Sequence, residues 1–249
     1  MLRAYDDGKL FGEPFGDGPV RVVWLHGWGR RGQDFAGAAT LLASANVASV
    51  ALDLPGFGAS PLPARAGGAR HYADLVAPVI KEMGDGPFIL VGHSFGGTVA
   101  TVLAAREPAM VRAVVLTGAP ILRGGATSSS PVGYRVIRSL HRRGVVSDVR
   151  MEAARQKYGS VDYRNAHGLL REVLVASVNE SYEEELATIH QPVALVWGEN
   201  DRDVPFDVAE RGAELLAGPH SLRLVADVGH FVPTEAPDEL VASVNEVLL

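Results

Sequence analysis

The stretch that decides the fold is Gly92-His93-Ser94-Phe95-Gly96-Gly97. It lies between the apolar run FILV at 88–91 and TVATVLAARE at 98–107, a run of good helix formers. A serine between glycines at a strand-to-helix junction marks a tight bend that lifts a nucleophilic hydroxyl clear of a sheet. Gly92 and Gly96 have no Cβ to collide with so sharp a turn. The amide of Phe95, at the start of the helix, points toward any oxygen bonded to Ser94. A Gly-rich turn without chemistry is the plain alternative, and the flanking patterns weigh against it.

Outward from this junction the chain alternates. VRVVWL (20–25), VASVAL (47–52), VRAVVLTG (111–118), PVALVWG (192–198) and HSLRLVAD (220–227) read as strands. Their nearly continuous apolar character is that of strands covered on both faces. Helical patterns fall at about 33–45, 70–84, 95–107, 206–217 and 236–248, the third stopped by Glu107-Pro108. Alternating strands and helices predict a mostly parallel sheet with helices on both sides. The first twenty residues are richer in turn formers and predict an antiparallel hairpin at the sheet edge.

Residues 121–189 interrupt this rhythm. They contain no convincing strand, and amphipathic stretches near 131–142, 148–158 and 164–179 predict a helical insertion. The Gly/Ser-rich piece from Arg123 to Ser130 is expected to be a flexible lead-in. Residues 121–171 hold ten Lys or Arg against three acids, a local charge of +7 in a chain whose formal charge is −6. A solvated surface is one reading of that segregation, and an anion-recognising face the other. The predicted organisation is a core of residues 1–120 and 190–249, with a helical cap at 121–189.

The bulk numbers bound the function. With 249 residues, 47% apolar and 21% charged, the chain can bury a large core. The acidic balance argues against nucleic acid as a partner. The absence of cysteine excludes disulfides, thiolate metal sites and a thiol nucleophile. No apolar run reaches the roughly 18 residues of a membrane span. The start MLRAYDDGKL lacks the basic and apolar pattern of a cleavable signal, so a cytoplasmic protein is expected.

A serine hydroxyl needs a base within hydrogen-bond reach, and the base needs an orienting acid. Of eight histidines, His230 stands out, in DVGHFVP after the last strand, where a loop can fold back over the strand ends. His93 adjoins the serine but is expected to point elsewhere, and His26 to shape its own loop. WGENDRDVP (197–205) follows a strand and offers Asp201, with Asp203 in reserve. An oxyanion needs two donors. Phe95 N–H is one, and Trp28 N–H is the other, in a turn whose Gly27 and Gly29 admit a close substrate. The Trp28 indole is expected to wall the acyl pocket.

These pieces together resemble the α/β-hydrolase-fold serine hydrolases. HGWG at 26–29, DLPGFGAS at 53–60, GHSFGG at 92–97, WGENDRDVP and VGHF at 228–231 match in the family's order, across nearly the whole chain. The resemblance implies an eight-stranded sheet with a helical cap inserted after the sixth strand. It implies Ser94 as nucleophile, His230 as base, Asp201 as acid, and the Trp28 and Phe95 amides as oxyanion hole. It favours Asp201 over Asp203, because the family places the acid three residues before Val-Pro. Serine at the elbow implies an acyl-enzyme, not the alkyl-enzyme ester of relatives with aspartate there. No metal or organic cofactor is implied.

The expected activity is hydrolysis of carboxylic esters with small to medium acyl groups. A similarity to pimeloyl-acyl-carrier-protein methyl ester esterases, which share the HGWG character, raises an alternative. In it Arg138, Arg142, Arg143 and Arg155 form an anion-binding cap surface for an acidic carrier protein. A meta-cleavage-product C–C hydrolase, a perhydrolase and, more distantly, a non-enzymatic ligand receptor share the same constellation.

Overall fold

A computed structural model describes residues 1–123, 132–158 and 161–248. Eight strands form one sheet: β1 (Arg3–Tyr5), β2 (Leu10–Phe15), β3 (Val20–Leu25), β4 (Ala48–Asp53), β5 (Phe88–His93), β6 (Val111–Thr117), β7 (Val193–Gly198) and β8 (His220–Val225). Their spatial order is β1-β2-β4-β3-β5-β6-β7-β8. β2 pairs antiparallel with both β1 and β4, and all the other neighbours pair parallel. This is the α/β-hydrolase sheet, with the expected hairpin at its edge.

The side-chain alternation of the central strands explains the two-sided core. Val23, Leu25, Leu90, Val114, Leu116, Leu195 and Trp197 face one layer. Val22, Trp24, Ile89, Val91, Val115 and Val196 face the other. The first layer is covered by α2 (Ala69–Glu82), α3 (Phe95–Arg106) and later α9 (Phe206–Ala213), through residues such as Tyr72, Val76, Val99, Leu103 and Val208. The second is covered by α1 (Ala36–Ser44) and the C-terminal α10 (Pro237–Leu248), through Ala38, Leu42, Leu240 and Val244. Each fully buried Val, Leu or Ile side chain contributes about 1.5–3 kcal/mol, so a strand covered on both faces needs an apolar residue at every position.

Between β6 and β7 the described residues form helices only: α4 (Val132–Arg142), α5 (Asp148–Tyr158), α6 (Val161–Asn165), α7 (Gly168–Ser177) and α8 (Glu183–Leu186). The amphipathic stretch expected at 164–179 is broken, because His167 is extended between α6 and α7 and Gly168, the first residue of α7, has a left-handed φ of 53°. In the expected lead-in from Arg123 to Ser130, residues 124–130 lie outside the described residues. The return to the core is pinned by a bidentate ion pair, Arg70 Nε and Nη2 donating to Glu185 at 2.6 and 2.8 Å. Among the described residues no helix is long and apolar enough to cross a membrane.

The strand order reverses at β3, which pairs with β4 on one side and β5 on the other. Beyond the carboxyl ends of strands at such a reversal an open α/β sheet leaves a crevice. GHSFGG begins in the last two residues of β5 and HGWG follows β3, so both open into it.

Candidate active site

Ser94 sits at the bend between β5 and α3 with φ 50° and ψ −117°, left-handed for a residue with a side chain. Such a backbone costs about 1–3 kcal/mol and persists only where its surroundings enforce it. Here they do. A Cβ on Gly92 would stand 2.5 Å from the Gly97 Cα, and one on Gly96 would overlap the Leu25 carbonyl oxygen. The elbow is thus clamped against the end of β3, and Leu25 is in register with Gly92.

His230 and Asp201 come together. His230 Nδ1–H donates to Asp201 Oδ2 at 2.8 Å. The other Asp201 oxygen accepts from the amides of Asp203 (2.9 Å) and Val204 (2.8 Å). Asp201 is 6% exposed, while Asp203 lies open on the surface, so Asp201 is the carboxylate that holds the imidazole. Main-chain ties keep the two loops together: the Asn200 amide donates to the Val228 carbonyl (2.8 Å) and the Trp197 indole N–H to the Val204 carbonyl (2.8 Å). With its proton on Nδ1, a neutral His230 presents a lone pair at Nε2. Asp201, Asp203 and His230 also bring one ligand atom each within 4.8 Å of one another, a spacing a divalent ion accepts. The Asp201 oxygens, however, already take three N–H donors.

Ser94 opens into a cavity of about 620 Å³, also lined by Trp28, Phe57, His93, Phe231, Asp203 and residues of α6 and α7. Trp28 packs edge-on against Phe57 and Phe95, with ring centroids 5.0 and 5.8 Å apart, and forms an aromatic wall. Gly27 brings the HGWG turn close: a Cβ there would stand 3.2 Å from the Ser94 Cβ. The Phe95 amide, first in α3, has no helical carbonyl four residues before it, because Val91 belongs to β5. His26 supports this turn. The Leu54 amide donates to its Nε2 (2.9 Å), so its proton is on Nδ1, which donates to the Gly27 carbonyl (2.7 Å). Burial lowers its pKa to about 4 and keeps it neutral.

Several lining residues carried no motif in the sequence. Asp162 and Asn165 come from α6, His167 and Leu170 from the start of α7. Burial first, and the charge of Asp203 second, raise the Asp162 carboxyl above its ordinary range, partly offset by His230. Neither Asp162 nor Asp203 has an ion-pair partner among the described residues. Arg30, also in the lining, is bonded to Asp34 and lies over the Phe231 ring. His93 faces the cavity as well, although its place beside Ser94 pointed elsewhere.

The predicted basic surface divides. Arg138, His141 and Arg142 of α4 and Arg155 of α5 line one groove of about 450 Å³ with an apolar floor that includes Met151 and Leu174. Arg143 is exposed and is not in that lining.

A family model described as the alpha/beta hydrolase family matches residues 22–243. The chain is 29% identical to Lipase LipV of Mycobacterium tuberculosis over 93% of this chain and 94% of the relative. It is 28% identical to a 2-hydroxy-6-oxononadienedioate/2-hydroxy-6-oxononatrienedioate hydrolase of Pseudomonas putida, over 92% of this chain and 87% of that one. A shorter match, 44% over 109 residues, covers 43% of this chain and 40% of the pimeloyl-acyl-carrier-protein methyl ester esterase of Chromobacterium violaceum. Among solved structures, the esterase EaEST from Exiguobacterium antarcticum superposes with a TM-score of 0.75 at 22% identity, over 100% of this chain and 99% of that one.

Proposed function

The chain belongs to the alpha/beta hydrolase family, and from that premise we propose that it is a serine esterase acting on carboxylic esters of small to medium acyl groups. The observation that carries this reading is the His230–Asp201 bond of 2.8 Å on loops that meet beside the left-handed Ser94 elbow. His230 Nε2 takes the Ser94 proton as Oγ attacks the ester carbonyl. The amides of Trp28 and Phe95 receive the oxyanion. His230 returns the proton to the leaving alcohol, and water repeats the steps on the acyl-enzyme. Asp201 holds the imidazole in the productive tautomer and stabilises its charged form. A cavity of about 620 Å³, walled by Trp28 and Phe57 and roofed by the helical cap, suits a drug-sized ester.

The test is direct. A fluorophosphonate should label Ser94 alone, and Ser94→Ala should lose turnover of p-nitrophenyl butyrate by about 10⁴-fold or more. Undiminished turnover by that variant sinks the reading. The Pseudomonas putida relative is named for a dicarboxylate. The cavity here presents Asp162 and Asp203 without a cation partner among the described residues, which favours an ester over such a substrate.

A second reading takes an acyl ester carried on an acidic protein. It is favoured by Arg138, Arg142 and Arg155 gathering in one groove on the helical insertion, and by the match to the Chromobacterium esterase. Charge reversal at Arg138 and Arg142 should then weaken turnover of a carrier-bound ester, and not of p-nitrophenyl butyrate. The loss should mimic the effect of raised salt, since exposed ion pairs are screened. Equal effects on both substrates count against it.

A further inference from the structure

His93 ends β5 and is 2% exposed. Its Nε2–H donates to the main-chain carbonyl of His230 at 2.9 Å. Its ring centroid lies 4.8 Å from that of His230 and 5.8 Å from that of Phe231. On its other side a Cβ on Gly27 would stand 2.7 Å from Nδ1. One ring therefore touches three segments: it is the covalent neighbour of the nucleophile, it bonds the main chain of the base, and it packs on the oxyanion turn.

Its electrostatics rule out a role in proton transfer. Burial, and then the neighbouring His230, lower its pKa to about 3, so the ring is neutral. Its one proton is committed to a carbonyl, and Nδ1 faces Gly27.

Among the described residues the His230 side chain makes one hydrogen bond, at Nδ1 to Asp201. A single bond leaves the ring free to tip as its loop shifts. A second anchor on the same residue's carbonyl removes that freedom. We propose that His93 is a positioning residue, whose Nε2–H bond to the His230 carbonyl sets where the base stands over Ser94. This inference rests on the Ser94–His230 reading above. Misplacing a reacting group by about 1 Å costs on the order of 10²-fold, so the bond has kinetic leverage without touching substrate.

Two variants of the full chain test it. Glutamine places an amide N–H near where Nε2 stands, and asparagine near where Nδ1 stands. With p-nitrophenyl butyrate, His93→Asn should lower kcat by about 50-fold while KM moves less than about 3-fold, and His93→Gln should recover kcat to within about 5-fold of the wild type. The rate of fluorophosphonate labelling at Ser94 should fall in the same proportion. Equal kcat values for the two variants, or a loss carried by KM alone, overturn the inference. Should the asparagine variant not fold, the wild type decides through its imidazole NMR signals. A His93 ring that stays an Nε2–H tautomer across about pH 5–8 supports the bond, and an Nδ1–H tautomer overturns it. Turnover by Ser94→Ala sinks the esterase reading; an inactive Ser94→Ala alongside equal Asn and Gln variants sinks this inference alone.

Discussion

Gly118 leaves the space in which His230 stands. A Cβ at position 118 would lie 2.9 Å from both Nδ1 and Cε1 of His230 and 3.2 Å from Asp201 Oδ2. The residue also holds a φ of 54°, which a side chain resists. Gly118→Ala should push the imidazole off its bond to Asp201 and lower kcat by about 10–100-fold, with a smaller change in KM. Steady-state kinetics on p-nitrophenyl butyrate decide it, and unchanged kcat means that the pair has room to spare.

The two acids of WGENDRDVP should separate cleanly. Asp201→Asn keeps the shape of the loop but favours the wrong imidazole tautomer, and should lower kcat by about 10⁴-fold. Asp203→Asn, at an exposed position that gives only its amide to Asp201, should stay within about 10-fold. Comparable losses from both would move the acid's role to the pair.

The elbow should not tolerate a methyl group. Gly96→Ala drives a Cβ into the Leu25 carbonyl at the end of β3. Overpacking against backbone has no flexible side chain to absorb it, so a loss of about 3 kcal/mol is expected in urea denaturation. A variant of wild-type stability would mean that β3 and α3 can part without cost.

Stability should fall with pH because two histidines are buried neutral. His26 and His93 titrate at about 4 and about 3 in the folded chain against an ordinary 6.5. As pH falls below 6.5 the unfolded chain binds protons there and the folded chain does not, so stability present at neutral pH is lost on acidification. Each ring contributes about 1.4 kcal/mol per pH unit in that window. Denaturation at several pH values between about 7 and 5 measures the slope, and His93→Gln should reduce it by one ring's share. A flat profile would contradict the burial of both.

Charge in the cavity should be legible in substrate preference. Asp162 and Asp203 face the space above Ser94 without a cation partner among the described residues. Replacing the methyl end of a p-nitrophenyl acyl chain by a carboxylate should lower kcat/KM, and Asp162→Asn should return about 5-fold of that loss, as a partly screened charge pair does. No difference between the two esters would place both carboxylates away from the acyl chain.

The central strands were readable because burial on both faces demands apolar residues without a break, as in VRVVWL and FILVG. GHSFGG was readable because Gly92 and Gly96 each answer a specific overlap, against Gly97 and against Leu25. Asp201 was distinguished from Asp203 by motif spacing alone, and the physical difference is three N–H donors on one carboxylate. Other features needed the folded chain. The break between α6 and α7 hides in a continuous amphipathic stretch, since it lies in the extended backbone of His167 and the left-handed φ of Gly168. His93 looked idle because its partner, the His230 carbonyl, is 137 residues away in sequence. Asp162, Asn165 and His167 reach the cavity through a helical insertion whose docking no local pattern encodes.

Strands β6 and β7 are direct neighbours, paired from Val114 with Val193 onward, yet residues 132–186 of the helical insertion lie between them in the chain. The ladder therefore closes with no strand from the insertion between β6 and β7. On the proposed reading, reactivity belongs to the strand ends and selectivity to the helical insertion above them. A roof transplanted from another enzyme of this architecture should retune which molecules enter while leaving the machinery beneath it intact.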